Sequence, residues 1–112
     1  MKSILQKEKY CYLCARLEGI EWNTRDLEEH HIFYGPFRTA SERHGLKVWL
    51  CRRHHKGDHT GTKDAVHNNM DKRMDTFLKK KAQQKWEELH SKYPGTEEAH
   101  QDFREIFGKS HL

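Results

Sequence analysis

The chain is poor in what a large core requires. Apolar residues fill 34% of its 112 positions, charged residues fill another 34%, and mean hydropathy is −1.14. No apolar run approaches the ~20 residues that cross a bilayer. The opening Met1-Lys2-Ser3-Ile4-Leu5-Gln6-Lys7-Glu8-Lys9 has no apolar stretch of export-signal length. Cysteine is scarce and odd in number, at three, so the thiols cannot all pair with one another. These shortages argue against a membrane protein, a secreted disulfide scaffold and a large multidomain enzyme. A small chain short of core is usually fastened by metal or disulfide. Without an export signal, the three thiols read better as metal ligands.

Histidine and positive charge stand out. Of ten His, seven fall between His30 and His67. The net charge of +4 and a pI near 9.0 suit a phosphate-bearing partner, and equally a soluble protein with lysine-rich helices.

The Cys- and His-rich stretch from Cys11 to His67 differs from the Lys-, Glu- and Gln-rich stretch after Asn69. In the second stretch Met70, Met74, Phe77, Leu78, Ala82, Trp86, Leu89 and Tyr93 recur at helical spacing. Asn68 or Asn69 is a suitable cap, with Asp71 in the first turn, and Pro94-Gly95 is the stop. Thr96 then caps a second helix carrying Ala99, Phe103, Ile106 and Phe107, with Gly108 after it. In the first stretch, His31-Ile32-Phe33-Tyr34 and Leu46–Leu50 read as strands of an antiparallel hairpin. Gly35-Pro36-Phe37-Arg38 and Gly45 supply turns. Leu13–Asn23 reads as partly helical.

Cys11-x-x-Cys14 and Cys51-x-x-His54 each put two ligands in one tight turn. Together they make a Cys3His set suited to tetrahedral structural zinc. The histidines make a second constellation. His30 and His31 are adjacent, so on a strand they point to opposite sides: one can bind metal while the other faces a substrate. His55 and His59 would share a face if a helical turn ran through them, although Gly57 and Gly61 oppose a stable helix there. His67 lies beyond that loop. His44, His90, His100 and His111 are assigned no role.

Taken in order, Cys11-x-x-Cys14, Glu29-His30-His31-Ile32, Leu50-Cys51-Arg52-Arg53-His54-His55-Lys56 and Ala65-Val66-His67-Asn68-Asn69 resemble the HNH endonuclease family. The stretches are especially similar to small HNH-type proteins of phages and prophages, and the tail Gln101–Leu112 also resembles theirs. The resemblance implies an α+β fold, a small zinc-stapled ββα-metal (His-Me finger) core with a long helix and a short C-terminal helix. It implies His30, His55 and either His59 or His67 as ligands of a catalytic divalent ion, and His31 as general base. One departure is plain: the family's middle Asn would fall at Leu46, and no Asn lies between Asn23 and Asn68. Its role passes to Asn69, to a backbone carbonyl, or to nothing.

The expected organisation is a flexible basic lead-in over 1–9, a zinc knuckle and HNH-like core over 10–69, and a helical part packed on it over 70–112. The expected activity is metal-dependent hydrolysis of DNA phosphodiesters, double-stranded DNA foremost, in the cytoplasm of a bacterial host. Arg38, Arg43, Arg52, Arg53, Lys56 and Lys63 would meet the phosphate backbone. The catalytic ion is Zn2+ or Ni2+ by imidazole affinity, or Mg2+ or Mn2+. The alternative is a zinc-binding nucleic-acid module that cleaves nothing.

Overall fold

Two short strands, β1 (Glu28–His31) and β2 (Lys47–Leu50), form an antiparallel ribbon. Glu28 pairs with Leu50, Glu29 with Trp49, His30 with Val48 and His31 with Lys47. The computed structural model describes residues 1–57, 65–67 and 72–112. Around the ribbon lie α1 (Tyr12–Glu18), a 3-10 turn (Gly35–Phe37) leading into α2 (Arg38–His44), the one-turn α3 (Arg52–His55), the long α4 (Arg73–His90) and α5 (Glu97–Phe107). This is the small α+β fold with a long helix and a short C-terminal helix. None of the described helices is long and apolar enough to cross a membrane.

The strand period decides which histidine goes where. Glu28 and His30 share the face of Val48 and Leu50, which turns toward the core. Glu29 and His31 share the other face with Lys47 and Trp49.

The first strand ends at His31 instead of beginning there. Ile32 keeps one bond toward the second strand, its N donating to Leu46 O at 3.0 Å, while Phe33 leaves the ladder; both are buried. Ser41 takes over the hydrogen bonds of Phe33: its Oγ accepts from Phe33 N at 3.0 Å and donates to Phe33 O at 2.6 Å. The turn read at Gly35-Pro36-Phe37 is a 3-10 turn, and the loop expected between it and Gly45 is the helix α2. Pro36 sits in the opening 3-10 turn, and Gly45 ends α2 at φ 69°. A Cβ on Gly45 would run into the Lys2 carbonyl oxygen.

Residues 1–9 lie against β2. Ile4 N donates to Gly45 O at 2.9 Å, and Gln6 Oε1 accepts from Trp49 N at 2.7 Å. The outer edge of the ribbon therefore has a partner.

Leu78, Ala82 and Trp86 of α4 and Phe103 and Phe107 of α5 join one core with Cys11, Leu13, Ile32, Phe33, Leu46, Val48 and Leu50. Thr96 caps α5 as predicted, its Oγ1 accepting from Ala99 N at 3.3 Å. The helix α4 ends at His90, and Leu89 and Tyr93 of its predicted stripe are exposed. Its core face carries buried Gln83 and Glu87 instead. Glu87 accepts from Gln83 Nε2 at 2.7 Å, His100 Nδ1 at 2.7 Å and Gly95 N at 3.0 Å, closing the turn between α4 and α5. The expected caps Asn68 and Asn69, with Met70 and Asp71, lie outside the described residues.

Candidate metal centres

Each knuckle is the first turn of a helix. Cys11 is the N-cap of α1, and its Sγ accepts from Cys14 N at 3.4 Å. Cys51 is the N-cap of α3, and its carbonyl accepts from His54 N at 3.1 Å and His55 N at 2.9 Å. Helix N-termini favour negative charge, which suits thiolates there. Packing of α1 against β2 brings the two turns together. His54 Nδ1 then lies 3.5, 3.4 and 3.5 Å from the Sγ atoms of Cys11, Cys14 and Cys51, and Cys14 and Cys51 Sγ lie 3.8 Å apart. Tetrahedral zinc, with bonds of about 2.3 Å to sulfur and about 2.0 Å to nitrogen, sets edges of about 3.8 Å and about 3.5 Å. The four residues fit that ion and are all buried.

The surroundings of the knuckle match its chemistry. Burial pushes the Cys11 thiol up to about 12 and raises that of Cys14 as well. Such thiols give up their protons when a cation replaces them. Asn23 Nδ2 donates to Cys14 Sγ at 3.3 Å. Glu18 Oε2 lies 3.3 Å from His54 Nε2, while Arg53 Nη2 donates to both Glu18 oxygens at 2.6 and 2.8 Å. The Arg53 hydrogen bonds hold the Glu18 carboxyl below the usual carboxylate range. Such outer partners orient a ligating imidazole.

A second cluster joins His30, His55 and His67, whose ring nitrogens lie within 4.8 Å of one another. His30 comes from the core face of β1, and His55 closes α3. Two backbone bonds return the chain beside α3: Val66 N donates to His54 O at 2.8 Å and His67 N to His55 O at 3.1 Å. His67 Nε2 thereby stands 3.1 Å from His55 Nε2. His55 Nδ1 bonds Glu28 Oε1 at 2.9 Å, which leaves Nε2 as the ligand atom. His30 Nε2 is buried with no hydrogen-bond partner among the described residues, an arrangement that costs free energy unless an ion satisfies it. Burial, then His55 and His67, lower His30 to about 3, and burial and His55 lower His67. Both shifts favour the neutral ring, the form that binds a metal. The residues fit a divalent ion held by three imidazoles.

This cluster differs from the knuckle in being open. It borders a shallow pocket of about 170 Å³ lined by Glu29, His30, His31, Tyr34, Arg38, His55 and His67. Three protein ligands beside open space is the arrangement of metal sites that admit a further group. Tyr34 stands 5.6 Å from His67 and 6.1 Å from His30, ring to ring, with Lys79 Nζ of α4 4.7 Å over its ring.

His31, on the other face, makes different contacts. Its Nε2 lies 2.9 Å from Glu42 Oε1 and 3.9 Å from Glu29 Oε1. Lys47 Nζ bonds Glu42 at 2.8 Å and approaches Glu29 at 3.4 Å, so an ammonium already fills the space between these carboxylates. Hydrogen bonds from Lys47 first, and from His31 among others, hold the Glu42 carboxyl far below its ordinary value.

The predicted backbone contacts are dispersed. Arg38 is exposed at the pocket rim. Arg43, Arg52 and Lys56 are exposed, and Lys56 Nζ is 4.0 Å from Glu28 Oε2. Arg53 is engaged by Glu18. His59 and Lys63 lie outside the described residues. Of the histidines assigned no role, His44 accepts from Trp86 Nε1 at 3.3 Å and His100 bonds Glu87. Sequence reasoning missed Glu28, Tyr34 and Glu42. Only Glu28 left a signal: in a strand it shares a face with His30, two residues on.

Fold and clusters define a small α+β domain whose buried Cys3His set and nearby His cluster are consistent with a zinc-binding, His-Me finger-like fold. Compared with protein families, curated proteins and solved structures, the chain matches none.

Proposed function

We propose that this protein is a metal-dependent nucleic-acid-binding module. Zinc in the Cys3His set would fasten the fold, and a divalent ion at His30, His55 and His67 would meet a backbone phosphate. The observation that carries this reading is the contrast between one closed, buried ligand set and one open set beside a pocket rimmed by Arg38. The net charge of +4 favours the same partner. Fluorescence anisotropy with labelled duplex DNA at increasing salt tests it. Binding should weaken steadily with salt, and His55→Ala should weaken it while the knuckle zinc remains. Salt-independent binding, or none at low salt, would retire the proposal.

A second reading is hydrolysis of DNA by an endonuclease resembling the small phage-type HNH proteins. What favours it is that His31 lines the same pocket as the three ligand histidines. With its Nε2–H donated to Glu42, His31 would take a proton from water on Nδ1 as the water oxygen attacks phosphorus and the bond to the 3′-oxygen breaks. Glu42 would steady the resulting imidazolium, as Arg38 holds the phosphate. A divalent ion, if held by His30, His55 and His67, would supply positive charge to the phosphate and leaving oxygens. Plasmid incubated with Mg2+, Mn2+, Ni2+ or Zn2+ should be nicked or cut, and His31→Ala should abolish this while binding and metal content persist. A DNA shift without cutting leaves the binding module alone.

A further inference from the structure

Apart from the metal pocket, a second cavity borders the outer face of the ribbon. Between that face and residues 1–9 lies a groove of about 310 Å³. Its one aromatic wall is Trp49, half-buried, with Lys9 Nζ 4.3 Å from the ring centroid. Lys2 and Lys7 line it too, are exposed, and make no ion pair among the described residues. The opposing wall is held in place: Gln6 Nε2 donates to Tyr10 O at 2.8 Å, its Oε1 accepts from Trp49 N at 2.7 Å, and Ser3 Oγ donates to Lys47 O. Glu29 lines both this groove and the pocket of the three ligand histidines. The two cavities therefore meet at one strand residue.

The chemistry of the walls selects the occupant. A flat aromatic ring offers a stacking surface to any base, and surrounding ammonium groups match a phosphodiester. A lone phosphate would have no use for the indole, and an apolar peptide would meet Lys2 and Lys7, which have no carboxylate partner among the described residues. The volume lies at the low end of the ~300–1,000 Å³ typical of ligand pockets. Glu8 and Glu29 also line the groove and temper its positive charge. Stacking on an indole requires a base freed from its complement, so an intact duplex cannot use this surface.

We propose that the groove binds one unpaired nucleotide of a nucleic-acid strand, its base stacked on Trp49 and its phosphates met by Lys2, Lys7 and Lys9. An arriving base replaces Lys9 on the ring, and the displaced ammonium turns to the phosphate. The inference rests on the nucleic-acid-binding reading and deepens it: the strand at the metal pocket carries an unpaired segment beside it.

The test is anisotropy of the zinc-loaded chain with labelled oligothymidylate and with a blunt duplex of equal length. Trp49→Ala should weaken single-strand binding about tenfold or more, with duplex binding changed less than about twofold. Trp49→Phe should restore most of the loss. Lys7→Glu, an exposed change that leaves the fold intact, should weaken single-strand binding and flatten its salt dependence. Metal content and circular dichroism report folding. Parental single-strand affinity in both Trp49→Ala and Lys7→Glu would overturn the proposal, as would equal loss of both ligands in a folded variant. A parent chain that binds duplex but not single strand overturns the groove and spares the broader reading. A parent chain that binds neither overturns both.

Discussion

The Cys3His cluster and the three-histidine cluster share one short helix, α3, whose consecutive residues His54 and His55 serve one each. Their surroundings separate them. The knuckle offers four ligand atoms, all from buried residues, with Asn23, Glu18 and Arg53 around them. The other cluster offers three, one of them from the exposed His67, and has a pocket at its side. A closed set turns metal affinity into folding free energy. An open set leaves the ion a place for something else. Adjacent residues thus stand in a closed and an open set according to what surrounds their ring nitrogens.

The largest expected effect comes from opening the closed set. Cys14→Ser should remove the tight zinc and with it the cooperative melt, since structural zinc in small modules carries roughly 10–16 kcal/mol of apparent binding free energy. Metal analysis and calorimetry check this. A variant that melts like its parent would show that the knuckle is not the fastening. Smaller effects belong to the open set. Glu28→Gln removes the carboxylate behind His55 and should weaken the exchangeable ion about 10–100-fold. Competitive titration with a chelating dye reads this, and zinc at the knuckle should be untouched. If both ions weaken together, the clusters are not independent.

The smallest effect lies far from either cluster. Glu87 is buried; burial raises its carboxyl, but hydrogen bonds from Gln83, His100 and Gly95 bring it below the ordinary value. A carboxyl lowered by folding adds stability that is present above its unfolded value and is lost as pH falls through the folded one. Glu87→Gln should therefore cost about 1–3 kcal/mol near neutral pH, and the difference from the parent should shrink on acidification below the carboxylate range. Urea unfolding at several pH values measures it, with both ions retained.

Much of this was legible because it is local. Cys11 with Cys14, and Cys51 with His54, are three apart in a helix's first turn, so spacing alone aims them together. Thr96 announced its own helix. The boundaries of β1 were not legible, because Ser41, eight residues away, supplies the bonds that let Phe33 leave the ladder. The polar stripe of α4 was hidden because the partner of Glu87, His100, comes from another helix. Glu42 gave no sign of meeting His31, eleven residues earlier, because the loop expected between the two turns is a helix.

By itself the amino-acid order determined the ligand types, the pairs that one turn of backbone can bring together, and a shortage of apolar surface that calls for metal. The tertiary structure decided which pairs meet. Ribbon register puts His30 on the core face and His31 on the opposite one, and the two backbone bonds to α3 bring His67 beside His55. Those choices rest on contacts between segments far apart in the chain, whose geometry is set only when the core packs.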